Sequence, residues 1–433
     1  MKERESLKQS ALEYHRSPRP GKVAIAATKP LQTQNDLALA YSPGVGFPSI
    51  EIASRPESAA IYTARSNLVG VISNGTAVLG LGNIGPLASK PVMEGKAVLF
   101  KAFAGIDVFD IEINESDPER LIEVIAALEP TFGGINLEDI RAPDCFKVES
   151  TLKQRLSIPV FHDDQHGTAA VVAATVLNGL RVVGKSIEEA RLVVSGAGAA
   201  ALACTRQLIK LGVAAENVIV CDGGGVIYEG RTERMNPYKE QFAAETKLRT
   251  LQQALEGADI FLGLSVAGIL QPQWLTTMAP DPMILALANP VPEIMPELAR
   301  QVRPDAIIST GRSDYPNQVN NVLCFPYLFR GALDVGATTI NGHMVDAAIH
   351  AIADLALQQP LPEVEAIYGE QTIGFGRDAL LPKPFDPRLV DRVALAVALA
   401  AMASGVATTP LQHPDLYAQS LQRLGETLFQ QRT

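Results

Sequence analysis

Arg191-Leu-Val-Val-Ser-Gly196-Ala-Gly198-Ala-Ala-Ala201-Leu-Ala-Cys204 opens a stretch that runs through Leu211-Gly212 to Asn217-Val-Ile-Val-Cys-Asp222. A short apolar run, Leu192 to Val194, leads into Gly196-x-Gly198-x-x-Ala201, and a helix-forming segment follows as far as Leu211. A second β-branched run, Val218 to Val220, ends at Asp222. Strand, turn, helix, strand and acid in this order predict a dinucleotide-binding βαβ unit. Gly196 permits the tight turn, Gly198 lets the backbone approach a pyrophosphate, and Ala201 lets helix and strand pack closely. The free N–H groups of the helix that begins near Ala199 would face the phosphates, and Asp222 would bond a ribose hydroxyl.

A more literal match lies upstream, at Gly80-Leu-Gly82-Asn-Ile-Gly85 after the apolar run Leu68 to Ile72. Pro86, Pro91 and Gly95 follow it and are expected to interrupt the helix that should receive the pyrophosphate. Residues 74–85 are therefore read as a glycine-rich loop near a substrate, and 196–201 as the cofactor turn.

The chain has 433 residues, enough for two domains with ample core. With 47% hydrophobic and 19% charged residues it has the composition of a soluble globular enzyme. A net charge of −10 argues against nucleic acid or anionic membrane as partner. The start, Met-Lys-Glu-Arg-Glu-Ser, is too charged for the pattern expected of a signal peptide. The longest unbroken apolar run, Val393 to Ala403, is far short of the roughly 20 residues of a membrane span. Four cysteines (145, 204, 221, 324) without metal or redox spacing suit a reducing cytoplasm.

Near the start, Ser17-Pro-Arg-Pro-Gly-Lys22 and Tyr41-Ser-Pro-Gly-Val-Gly46 are turn-forming, so Tyr41 stands at the edge of irregular backbone. Between Val92 and Phe103 apolar residues recur at helical spacing and put Lys96 on the apolar face, where desolvation would lower its pKa. Ile106 to Ile113 reads as a strand. The next helix is opened by Ser116 with Glu119 or by Asp117 with Pro118, and stops at Pro130. Two further strands, around Phe132 to Asn136 and Ile158 to Phe161, each deliver adjacent acids: Glu138-Asp139 and Asp163-Asp164. Ligands in α/β sheets collect at the carboxyl ends of strands. Adjacent strand residues face opposite ways, so Glu138 and Asp139 can share an ion only where the chain turns. Converging carboxylates repel unless protonated or holding a cation, and oxygen-only ligands favour Mg²⁺ or Mn²⁺. His162 and His166 lack the helical H-E-x-x-H spacing of a zinc pair.

Strand candidates continue at Ala258 to Leu262, Met283 to Leu287 and Ala306 to Ser309, giving five for a doubly wound domain. Asn289-Pro290 and Gly311-Arg312 lie just past two of their ends, and Asn317-Gln-Val-Asn320-Asn321 follows in a loop. Side-chain amides there can bond a carboxylate or a nicotinamide amide. Helices at Met344 to Leu357 and Leu389 to Met402, the latter opened by Asp386-Pro387, precede a polar tail.

Taken together, these motifs resemble malic enzyme. They are Tyr41-Ser-Pro-Gly, Asn74 to Gly85, Gly133-Gly-Ile-Asn-Leu-Glu138-Asp139, Phe161-His-Asp-Asp-Gln-His-Gly-Thr168, Ser195-Gly-Ala-Gly198, Ala286-Leu-Ala-Asn289-Pro and Thr310 to Asn321. The likeness is closest to the short bacterial type and covers about residues 10–400. It implies oxidative decarboxylation of L-malate to pyruvate and CO₂, with reduction of NAD or NADP and a divalent ion, Mg²⁺ or Mn²⁺. By position it implies Lys96 as general base, Tyr41 as general acid, and Glu138, Asp139 and Asp164 as metal ligands with Asp163 in support. Asn289 and Asn321, with Asn320 beside it, would hold malate, and Asn289 would also border the cofactor. Ala77 departs from the larger animal-type enzymes, which carry a substrate-binding arginine there. A phosphate-acetyltransferase-like domain, present in some relatives, is not expected here.

The implied architecture is α/β in three parts. Residues 1–163 form a substrate and metal domain, 164–320 a Rossmann-type NAD(P) domain, and 321–433 helices packing back on the first. The resemblance further implies a homodimer in which Tyr41 of one chain joins Lys96 of the other. Asp222, with no cation between it and Arg231, inclines the cofactor choice towards NAD. Two rival readings are a metal-independent dehydrogenase of another hydroxy or amino acid, and a non-catalytic nucleotide sensor. The acid cluster weighs against the first, and the intact Tyr41 and Lys96 against the second.

Overall fold

In the computed structural model, which describes residues 2–369 and 374–432, the expected strands all form within two residues of their expected ends. An N-terminal arm comes first: helices α1 (Lys2–Arg16), α2 (Gln34–Ala40) and α3 (Gly46–Ser54). Neither α2 nor α3 buries a residue. Then β1 (Leu68–Ser73), α4 (Pro86–Ala104), β2 (Asp107–Glu112), α5 (Pro118–Ala127), β3 (Gly134–Leu137), α6 (Asp144–Arg155) and β4 (Val160–His162) build a parallel sheet of order β2-β1-β3-β4. Every residue of β1 is buried, as the near-continuous apolar run of a covered parallel strand requires. Of the two caps considered for α5, Asp117 is the one used: its carboxylate accepts the N–H groups of Glu119 and Arg120, with Pro118 at the first helical position.

The helix after the first glycine loop differs from expectation. Helix α4 runs unbroken from Pro86 to Ala104 with Pro91 inside it. Pro86 occupies the first turn, where no N–H is needed, and Pro91 removes one internal bond without ending the helix.

A π-helical turn, Asp163–Gly167, joins β4 to α7 (Thr168–Val183). This joined helix is apolar and long enough to cross a membrane by length and composition, but 67% of that window is buried inside the fold. It acts as a core helix. The second sheet follows: β5 (Leu192–Ser195), α8 (Ala199–Lys210), β6 (Val218–Asp222), β7 (Gly225–Val226), β8 (Ile260–Gly263), β9 (Met283–Ala286) and β10 (Ile307–Thr310). Its order is β10-β9-β8-β5-β6-β7, parallel except for the two-residue β7, which pairs antiparallel with β6 and was not anticipated. The chain moves from β5 outward to β6 and then back across to β8. The switch point of the sheet therefore lies between β5 and β8, where a doubly wound fold opens a crevice for ligands.

Helices α9 (Phe325–Asp334), α10 (Gly342–Leu355), α11 (Arg388–Ala403) and α12 (Pro414–Arg432) complete the chain. The expected polar tail is in fact largely α12, which buries Leu421, Gly425 and Leu428 against α11 and α4. Its polar residues hid a narrow apolar stripe, Leu421, Leu424 and Leu428, at helical spacing. One hydrophobic cluster joins α4 and α9 with α7, β5 and α11, so the two sheets share a core.

Candidate active site

The carboxyl ends of β3 and β4 gather four acids, three of them on one wall of a cavity. Asp139 has φ +55°, so the chain turns there and lets Glu138 and Asp139 face the same space. From β4 the π-helical turn, a device frequent at functional sites, presents Asp163 and Asp164. Ligand oxygens of Glu138, Asp139 and Asp164 lie within 4.8 Å of one another. The Asp139 N–H donates to Asp164 Oδ2 at 2.7 Å, and Asn136 Nδ2 donates to Glu138 Oε2 at 2.9 Å. Glu138 and Asp139 are buried, and burial with mutual repulsion raises both above the ordinary carboxylate range, Asp139 to about 8. Asp139 Oδ2 is buried and accepts no hydrogen bond. An oxygen-only donor set with an orphaned carboxylate oxygen fits a hard divalent cation. His162, fully buried and kept neutral by burial, holds Nδ1 3.8 Å from Asp164 Oδ2 and stands outside the three-acid group.

Lys96 rises from the buried face of α4 into these acids. Its Nζ is 3.2 Å from Glu138 Oε1, bonds Asp163 Oδ2 more closely still, and sits 4.3 Å from the centre of the Phe325 ring. The apolar face is as expected, with Met93, Ala97 and Phe100 buried around it, but the expected depression of the lysine is not. Burial does push the ammonium down, yet the charges of Asp163 and Glu138 outweigh it and raise Lys96 above its ordinary value. Periodicity revealed the helix face, whereas the acids come from strands more than 35 residues away.

The glycine-rich loop closes a second side. The Ala77 N–H donates to the Asp139 carbonyl at 3.0 Å. A Cβ at Gly80 would lie 2.0 Å from the Asn289 carbonyl oxygen, so only glycine lets this loop meet the loop after β9. Across the cavity stands the dinucleotide turn. Gly196 has φ +118°, and a Cβ there would be 2.3 Å from Leu264 O, whereas Gly198 has open space before it. Gly198, Ala199 and Ala200 line the cavity with Leu264 and Ser265 after β8, and Ala201 is buried behind them. These residues mark the switch point of the sheet.

One cavity of about 970 Å³ thus borders Lys96, Glu138, Asp139 and Asp164, the cofactor turn, Asn289, and Asn320 with Asn321. Asp163 lies behind Lys96, fully buried. Asn320 also caps a short helical turn by accepting the Val322 N–H at 3.0 Å. Tyr41 is absent from this wall. It ends α2 and is 70% exposed. Asp222 closes β6 with its carboxylate already paired: Arg231 Nη2 bonds Oδ1 at 2.6 Å and Lys239 Nζ bonds Oδ2 at 2.7 Å. Sequence reasoning missed Tyr14, Lys22 and Arg141, which line the cavity. Only the Pro-Gly turn before Lys22 hinted that this part of the arm has a fixed place.

Residues 20–153 match the family model for the malic enzyme N-terminal domain, and residues 165–370 that for the malic enzyme NAD-binding domain. The latter range contains the turn at 196–201 and excludes that at 80–85. The chain is 62% identical over 418 residues to an NADP-dependent malic enzyme of Escherichia coli (strain K12), covering 96% of this chain and 55% of that protein. It is equally 62% identical, over 417 residues, to an NAD-dependent malic enzyme of Rhizobium meliloti (strain 1021), covering 96% of this chain and 54% of that one. The chain thus spans about half the length of both. Among solved structures, a malic enzyme from Pyrococcus horikoshii superposes with a TM-score of 0.86 at 42% identity, covering 98% of this chain and 96% of its own.

Proposed function

The chain belongs to the malic enzyme family, and we propose from that premise that it oxidatively decarboxylates L-malate to pyruvate and CO₂ while reducing NAD(P). The observation that carries this reading is one cavity holding a buried lysine, three acids disposed for a cation, and a dinucleotide turn. Glu138, Asp139 and Asp164 would hold the divalent ion, and Gly196, Gly198 and the N-terminus of α8 the pyrophosphate. When bound, the cation supplies Lewis-acid polarisation of the substrate oxygens and the nicotinamide supplies the hydride acceptor.

Lys96 takes the proton of the C2 hydroxyl. Asp163 holds the ammonium in place, and the positive charge of a cation on the neighbouring acids would offset the carboxylates that now raise it. Asn289 and Asn321 orient malate from the segments that follow β9 and β10. For protonation of C3 the site needs a second group, which we assign to Tyr41 of the partner subunit in a homodimer. Its own Tyr41 lies outside the cavity, on an arm with Phe47, Ile50 and Ile61 exposed. We further propose domain limits at 163/164 and 320/321, and a cytoplasmic setting that suits four free, buried cysteines.

Cofactor choice turns on the loop after β6. The inclination to NAD rested on an uncompensated Asp222. With Arg231 and Lys239 on its carboxylate, and Arg234 Nη1 2.8 Å from where a Gly223 Cβ would be, three cationic side chains gather around this one acid and suit a 2′-phosphate. We therefore favour NADP. The deciding assay follows malate-dependent dinucleotide reduction and CO₂ release with Mn²⁺, in parallel with NAD and NADP. Absence of turnover with either dinucleotide refutes the function, and a tenfold higher kcat/KM with NAD restores the first choice.

A further inference from the structure

We propose that Lys22 holds the far (C4) carboxylate of the substrate, in place of the arginine that Ala77 lacks. This rests on the reading of malate as substrate. The cavity has three cationic side chains on its wall: Lys22, Lys96 and Arg141. Lys96 is paired with Glu138 and Asp163, and the charge of Arg141 is paired with Asp144, whose Oδ2 accepts from Nε at 2.8 Å. Among the described residues, Lys22 Nζ forms no ion pair. Its acceptors are both neutral: His15 Nε2 at 2.8 Å and the Pro91 carbonyl at 2.6 Å.

The pairing of His15 settles the proton inventory. Its Nδ1 lies 2.7 Å from the Ala11 carbonyl, which can only accept, so Nδ1 carries the hydrogen and Nε2 offers its lone pair to Lys22. An ammonium has three N–H groups, and these contacts use two. The third is left for a ligand. Partial burial in this wall pushes the Lys22 ammonium below its ordinary value, so an anion reaching it from the cavity would regain what desolvation costs.

Position agrees with the role. The Lys22 N–H donates to Glu94 Oε2 at 2.9 Å, which pins the residue to α4. A Cβ on Gly95 would lie 3.6 Å from Lys22 Nζ, so the ammonium stands above the turn of α4 that immediately precedes Lys96. The two lysines therefore address opposite ends of one small diacid, Lys96 among the acids and Lys22 towards the arm. Chemistry favours a lysine here. The C4 carboxylate departs as CO₂, and a bidentate arginine would hold that charge more firmly in the ground state than a single point contact does.

The test compares Lys22→Met with Lys22→Arg and the wild-type enzyme, using malate, the dinucleotide, and pyruvate as product inhibitor. Pyruvate has no C4 carboxylate. For Lys22→Met we expect KM for malate to rise about 10- to 100-fold, the size of one lost charge-assisted bond. The dinucleotide KM and the pyruvate inhibition constant should stay within about twofold, and Lys22→Arg should recover part of the loss. An unchanged malate KM, or an equal weakening of malate and pyruvate, overturns the assignment. A wild-type enzyme that neither turns over nor binds malate would instead defeat the function on which the assignment rests.

Discussion

The acid wall and the N-terminal arm face the same chemistry with opposite degrees of burial. Glu138, Asp139 and Asp163 are at most 4% exposed and each is tied by a hydrogen bond, to Asn136, Asp164 and Lys96 respectively. In the arm, Tyr41, Phe47, Ile50 and Ile61 are each more than two-thirds exposed, and α2 and α3 bury nothing. Buried acids are costly unless something compensates them, and exposed apolar surface of this extent marks an interaction face. The wall therefore suits a cation and the arm suits a neighbouring apolar surface. The difference teaches that one chain buries Lys96 among its acids and leaves Tyr41, the proposed acid, on an exposed arm.

The sharpest way to break the comparison is at its centre. Lys96→Ala should lower kcat for malate by about 10³-fold, the ordinary worth of general acid–base catalysis, with dinucleotide affinity nearly intact. Asp164→Asn and Glu138→Gln should likewise abolish decarboxylation yet spare dinucleotide titration. Equal loss of cofactor affinity in these mutants would mean that the wall is no separate metal site.

The arm is probed by complementation. Tyr41→Phe and Lys96→Ala homodimers should each be nearly inactive, but a heterodimer regains one intact site. Refolding equal amounts together should restore about a quarter of wild-type activity by random pairing in a two-fold dimer. A mixture that stays inactive although heterodimers are present places Tyr41 within its own chain's site.

A smaller effect is expected from the surface itself. Replacing Phe47 with Asp should weaken self-association at least about tenfold, the consequence of putting a charge where an apolar side chain is buried between subunits. Sedimentation at several concentrations reads this directly; an unaltered dimer would show that the arm's apolar side chains are not its seam. Smallest is the effect of a cation on stability. Saturating Mn²⁺ should raise the melting temperature by about a few degrees, as a ligand that binds only the folded state does. Glu138→Gln should lose that shift, and a mutant that keeps it would move the cation elsewhere.

Much of this was legible in the chain because it is local. Apolar and β-branched runs marked the strands, the glycines at 196 and 198 marked the cofactor turn, and adjacent acid pairs marked two strand ends. The helical stripe carrying Lys96 was equally plain. Pro86 misled, because a proline before a helix and a proline that breaks one look alike in sequence. The tail misled because three leucines at helical spacing, Leu421, Leu424 and Leu428, are a thin signal among polar residues.

What the sequence determined by itself was the set of parts and their order: the strands of two α/β domains, a dinucleotide turn, a helix with a lysine on its apolar face, and the acids. What only the tertiary structure decided were the charges each part meets. Lys96 is raised rather than depressed because strands distant in sequence aim Asp163 and Glu138 at it. Asp222 is neutralised because Arg231 and Lys239 fold back over it. Lys22 joins the cavity because Glu94 and Pro91, some 70 residues later, fix it there. The physical reason is one of range. Hydrogen-bonded periodicity is written over a few neighbouring residues, whereas a side chain's electrostatic surroundings are set within about 4–6 Å in space, whatever their distance along the chain.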